Sequence, residues 1–264
     1  MVQPHRDPSS DEPRRRRPEL SVWMAGKIGW EAYASMAERL AWEVSEPDGR
    51  PPTMVICELA PAITVGRLGS RTDVGLTDEE LAARALPLRF VGRGGGAVVH
   101  VPGQVFIALF MPLADLGLSR TAAGAYVERL ETALEGAIRA MRCGTVRDSR
   151  AAGVFGRTGL LAAVGVAIRR GITWHGAWVN VCPALDAVRR VRSVPGRGAG
   201  AAAGAIMGSI EADVGRQVRL GDARAAIVEQ VGDAFAVHRP NVHAGFPVPI
   251  REPSTPAEPS RSVG

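Results

Sequence analysis

The chain has 264 residues, 46% of them hydrophobic, enough for one core-bearing domain, and its 32 basic and 27 acidic residues leave a net charge of +5. No apolar run reaches the roughly 18 to 20 residues of a membrane-spanning helix, and the first residues are polar and Arg-rich with no apolar stretch behind them, so no membrane partner and a cytoplasmic setting are expected. Cys57, Cys143 and Cys182 are too scattered for a disulfide framework or a zinc site, and neither metal nor cofactor is expected. Lys27 is the only lysine, Arg is diffuse outside Arg14 to Arg17, and 5% aromatic residues offer few stacking platforms, which argues against nucleic acid.

Residues 1–18, rich in Pro, Ser, Asp and Arg, cannot bury enough apolar surface to offset the entropy of ordering and predict a disordered Arg-rich arm. Residues 247–264 return to that composition and predict a disordered tail, leaving a single domain over 19–246. Ala32, Met36, Leu40 and Val44 recur at helical spacing within a helix predicted over 31–45. Strands are predicted over 53–59 and 62–66, split by Pro61, which has no N–H for a sheet ladder, and again over 88–91, 97–101 and 104–111. Thr121 reads as the N-cap of a helix marked by Val127, Leu130, Leu134, Ile138 and Met141. Residues 160–168 and 172–181 predict a hairpin around Arg169, Arg170 and Gly171. Strict alternation there puts Thr173, His175 and Ala177 on one face and Trp174 and Trp178 on the other. The small-residue tract 196–208 reads as a loop, and Ile227, Val231 and Phe235 mark a last helix. Strand groups separated by isolated helices predict an α+β fold, a mixed β-sheet with packed helices.

The stretch RGGGAVVHVPGQ (93–104) is the densest candidate for chemistry. Its glycines open no helix and no GK[ST] follows, so the dinucleotide and P-loop templates both fail, and on local pattern alone it is a glycine-rich hairpin turn.

ELAPAITVGRLGS (58–70), RGGGAVVHVPGQ (93–104) and GVAIRRGITWHGAWVNV (165–181) occur in that order, and together they resemble the lipoyl(octanoyl) transferase family of the biotin and lipoate protein ligase superfamily. The resemblance implies a biotin/lipoate protein ligase-like domain. It also implies transfer of an octanoyl group from acyl carrier protein to a lipoyl domain or glycine cleavage H-type protein, through a cysteine thioester with a lysine holding the acyl carbonyl. Carried over by motif, Arg93, Gly94, Gly95, Gly96, His100, Gly103, Gln104, His175 and Gly176 line the substrate pocket.

The catalytic pair does not carry over. Counting back from His175 places Leu160 where the family has its lysine, and counting forward from Asn180 places Val194 where it has its cysteine. Cys182 and Ser193 are candidate substitute nucleophiles, and Arg157 is a candidate substitute cation. Two readings stand: an octanoyltransferase-like protein of lipoate metabolism, or a non-catalytic relative that binds an acyl group, acyl carrier protein or a lipoyl domain.

Overall fold

Two sheets and three apolar clusters organise the molecule. The computed structural model describes residues 19–148, 152–193, 206–237 and 240–249, except for the side chain of Ala187. The expected N-terminal arm, Val194 and most of the small-residue tract and C-terminal tail lie outside the described residues. In chain order the elements are β1 (Ser21–Ile28), α1 (Trp30–Ser45), β2 (Thr53–Leu59), β3 (Ala62–Val65), α2 (Asp78–Ala83), β4 (Leu88–Phe90), β5 (Ala97–His100), β6 (Gln104–Phe110) and α3 (Ala123–Ala140). Then come β7 (Gly153–Gly156), β8 (Gly159–Arg169), β9 (Ile172–Asn180), α4 (Leu185–Val188), α5 (Ile210–Val214), α6 (Leu220–Ala234) and β10 (Asn241–Ala244).

The large sheet runs β10-β1-β2-β6-β9-β8-β7 and the small one β4-β3-β5. β1 pairs in parallel with β2 and β10, whereas β2, β6, β9, β8 and β7 pair antiparallel, so the sheet is mixed as expected. The strands β2 and β6 are buried along their whole length because helices cover both faces. Leu130, Leu134, Ile138, Ile227 and Val231 of α3 and α6 pack with Ile107, Leu109 and Val179 on one face. Tyr33, Met36 and Leu40 of α1 pack with Phe106, Phe110 and Trp178 on the other. Burial of each such side chain contributes about 1.5–3 kcal/mol.

Three expectations need correction. Thr121 does not cap α3: Ala122 holds the N-cap position, and Thr121 Oγ1 lies 3.2 Å from Ser119 Oγ. The strands β1, β7 and β10 and the helices α2, α4 and α5 are absent from the predicted set. For α2 the signal is present, since Thr77 Oγ1 accepts from Glu80 N while Glu80 Oε2 accepts from Thr77 N, a capping box written in the spacing of Thr77 and Glu80. The alternation along β9 also fails. Thr173 bonds to the backbone of Leu109 and Met111, and Ala177 packs toward α3, but His175 turns to the α1 face with Trp178. Its backbone is left-handed, φ +61°, which flips one side chain out of the period-2 pattern.

Candidate active-site pocket

The glycine-rich loop between β4 and β5 docks on the β8–β9 hairpin. Gly94 N donates to Val166 O at 2.8 Å, and Gly95 O and Gly96 O accept from Leu68 N and Gly66 N. Gly95 has φ +78°, and a Cβ at Gly66 would sit 2.4 Å from Gly95 O, so backbone meets backbone where side chains do not fit. All three sequence motifs therefore converge.

Arg93 ends up fully buried beneath this loop. Its Nη2 donates to Thr64 O and Thr64 Oγ1, each at 2.9 Å, and Nη1 to Gly94 O at 2.9 Å, while the guanidinium lies 4.6 Å from the centre of the Trp178 ring. Burial pulls its pKa down to about 9, which leaves it protonated at neutral pH. No carboxylate is paired with it among the described residues. Carbonyls, a hydroxyl and a π face hold the charge instead.

The two histidines share this surrounding. His100 Nε2 lies 2.8 Å from Thr64 Oγ1, and His175 Nδ1 lies 2.9 Å from the hydroxyl of Tyr33. The ring of Trp30 stacks on both, at 5.9 Å and 6.0 Å between centroids, and so joins them into one cluster. Burial first, and the Arg93 charge second, push both imidazoles down to about 3, so both are neutral at physiological pH. Within this cluster Arg93 Nε, His100 Nδ1 and Trp178 Nε1 are buried without a partner among the described residues. Unpartnered polar atoms buried in one cluster leave hydrogen-bonding capacity unspent there, and Arg93 Nε and Trp178 Nε1 are donors. The left-handed His175 stores backbone strain on the order of 1–3 kcal/mol at the same place.

Trp30, Ala34, Val91, Gly92, Trp174 and His175 line the opening, a pocket of about 160 Å³. That is below the roughly 300 Å³ at which drug-sized pockets begin. A larger groove of about 620 Å³ runs along α3, but charged residues line it and it contains none of the motif residues. We therefore place the candidate site at His175.

Residues 32–232 match the family model for the lipoyl protein ligase A/B catalytic domain. The chain belongs to this family. Relatives of this lipoyl protein ligase A/B member include the octanoyltransferase of Geotalea uraniireducens, 29% identical over 208 residues that cover 79% of this chain and 89% of that protein. The octanoyltransferase of Porphyromonas gingivalis is 31% identical over 185 residues, which cover 66% of this chain and 37% of that protein. The fold is similar to that of the bi-partite lipoate protein ligase of Thermoplasma acidophilum, with a TM-score of 0.62 at 14% identity over 86% of this chain and 88% of that one. These likenesses put the lipoyl protein ligase A/B domain in lipoate metabolism.

The remaining sequence candidates lie elsewhere in this family member. Leu160 is fully buried among Ala163, Trp178 and Met207. Gln104 accepts from Val101 N and donates to Asn180 Oδ1, whose amide in turn donates to Leu160 O, so it ties strands together rather than facing the opening. Gly103 O accepts from Val181 N and Cys182 N at that same end of β6 and β9. Gly176 faces the β6 backbone: a Cβ there would meet Ile107 O at 2.1 Å. Ser193 Oγ donates to Ala97 O at 2.8 Å, without a histidine partner among the described residues. Arg157 donates to the carbonyls of Ala212 and Asp213 on α5. Cys182 borders a separate pocket with Ser209 and Glu211, where burial and then Glu211 and Glu58 raise its thiol. Sequence reasoning missed Trp30, Tyr33 and Thr64 as site members. Trp30 and Tyr33 are three apart at the start of a helix, a spacing that points both to one face.

Proposed function

We propose that this protein binds the acyl group of an acyl carrier protein at the His175 pocket and engages a lipoyl domain or an H-type protein, without carrying the acyl group as a covalent thioester. The observation that supports this reading is the placement of the thiols. Cys57 and Cys143 are buried, with burial raising both, and Cys182 opens on a different pocket beside two carboxylates that disfavour its thiolate. Unspent donors at Arg93 Nε and Trp178 Nε1, in the same cluster as His175, support a binding role for this part of the molecule. The names of the relatives favour octanoyl as the group.

Intact-mass analysis after incubation with octanoyl-acyl carrier protein tests the proposal. The expected result is a measurable complex, no mass gain of one octanoyl group and no transfer to a lipoyl domain. A gain abolished by Cys182→Ala or Ser193→Ala would instead establish an octanoyltransferase with a relocated nucleophile.

A further inference from the structure

Two arginines flank Gly92, a residue that lines the His175 pocket. Arg67 Nη1 donates to Gly92 O at 3.3 Å, and the Arg169 guanidinium lies 4.6 Å from the centre of the Trp174 ring. A Cβ at Gly92 would lie 3.8 Å from Arg169 Nη2, so the same glycine separates the two cations. Gly92, Arg169, Trp174 and His175 line one opening, and both arginines add positive potential at His175. Neither is ion-paired among the described residues, although Arg89, three residues before Gly92, is bonded to Glu31. Glu38 of α1 is the carboxylate that lines this opening, and among the described residues it makes no ion pair with either arginine. Two guanidinium groups with unspent donors attract and orient an oxyanion.

We propose that Arg67 and Arg169 bind the anionic group of a slender ligand whose uncharged end enters toward His175. The inference rests on the reading of the pocket as an acyl-donor site and names what holds the donor at its entrance. The anion is the phosphate of the arm that carries the thioester on an acyl carrier protein, or the carboxylate of a free fatty acid. Phosphate is favoured because its several oxygens can accept from two guanidinium groups at once, while the pocket of about 160 Å³ admits a narrow portion of a ligand.

Gly92 supplies a test that leaves the core untouched. Its backbone is not left-handed, and an added Cβ would meet nothing closer than Arg169 Nη2 at 3.8 Å, so Gly92→Glu adds a competing carboxylate beside the cations. Calorimetric titration of the full chain with 4′-phosphopantetheine, pantetheine, octanoate and octanol reads the outcome. Wild type is expected to bind phosphopantetheine about tenfold or more tighter than pantetheine, and Arg67→Gln and Arg169→Gln each to weaken the phosphorylated ligand about tenfold. Gly92→Glu is expected to erase the preference for the phosphorylated ligand. A preference for octanoate over octanol, lost in the same variants, would assign the carboxylate as the source. Failure of wild type to discriminate either anion from its neutral counterpart, or variants that bind as wild type does, would overturn the proposal. Octanoyl-acyl carrier protein that still binds the Arg67→Gln, Arg169→Gln double variant as it binds wild type would leave the acyl-site reading standing and this one refuted. Absence of binding to wild type would refute both.

Discussion

The guanidinium of Arg93 lies 4.6 Å from the centre of the Trp178 ring, with both side chains fully buried and the cation unpaired with any carboxylate among the described residues. Its charge is held by Thr64, Gly94 and the indole face, and the fork geometry of the guanidinium makes three of those bonds at once. Arg93→Lys keeps the charge and loses the fork, and it is expected to lower stability by about 2–4 kcal/mol. Arg93→Met additionally removes the repulsion felt by His100 and His175 and should raise their titration. Urea denaturation and histidine NMR titration check the two effects.

Neutral histidines make the fold sensitive to acid. His100 and His175 sit near 3 in the folded protein against an ordinary value of 6.5, so between those limits the unfolded chain binds protons that the folded chain refuses. Their contribution is present in full above pH 6.5 and falls as the pH drops toward 3, by up to about 1.4 kcal/mol per pH unit for each histidine. The urea midpoint should therefore fall between pH 7 and pH 5, less steeply in His100→Phe. Equal slopes in the variant and the wild type would contradict this.

A lysine placed at position 160, where counting between motifs expects one, should cost stability. Leu160 is fully buried in the apolar cluster that also holds Ala163, Trp178 and Met207, so the ammonium of Leu160→Lys would lack both water and a counter-charge. A loss of more than about 3 kcal/mol is expected at neutral pH, shrinking at alkaline pH as the lysine gives up its proton. Thermal unfolding at pH 7 and pH 10 measures it.

Gly176 and Gly92 provide a matched pair of substitutions. A Cβ at Gly176 would sit 2.1 Å from the backbone oxygen of Ile107 in the central strand β6, whereas one at Gly92 meets only the flexible end of Arg169 at 3.8 Å. Gly176→Ala is expected to cost more than about 3 kcal/mol, through broken β6–β9 pairing, and Gly92→Ala to change stability by less than about 0.5 kcal/mol. Soluble yield and urea midpoints distinguish them.

Elements with strong local patterns are legible in the amino-acid sequence alone. The β-branched and apolar run of β2, the long apolar β6 and the helical spacing of Met36, Leu40 and Val44 each state their own conformation. In β10, Asn241 to Ala244 are all exposed and carry no burial pattern, so that strand exists because β1 offers it a free edge. The site is legible as three motifs but not as a geometry. Gln104 is a pocket residue by family resemblance, and the pairing of β6 with β9 places its amide on Asn180.

The order of the motifs and a lone lysine at position 27 are properties of the sequence itself, and they set the family and the question of its chemistry. The union of Arg93, His100, Trp178 and His175 was decided by tertiary structure, because strand register and one left-handed backbone angle at His175 choose which side chains meet. Apolar spacing is a local energy, expressed within a few residues. Convergence from distant strands is set by pairing and packing, which no stretch of sequence expresses alone.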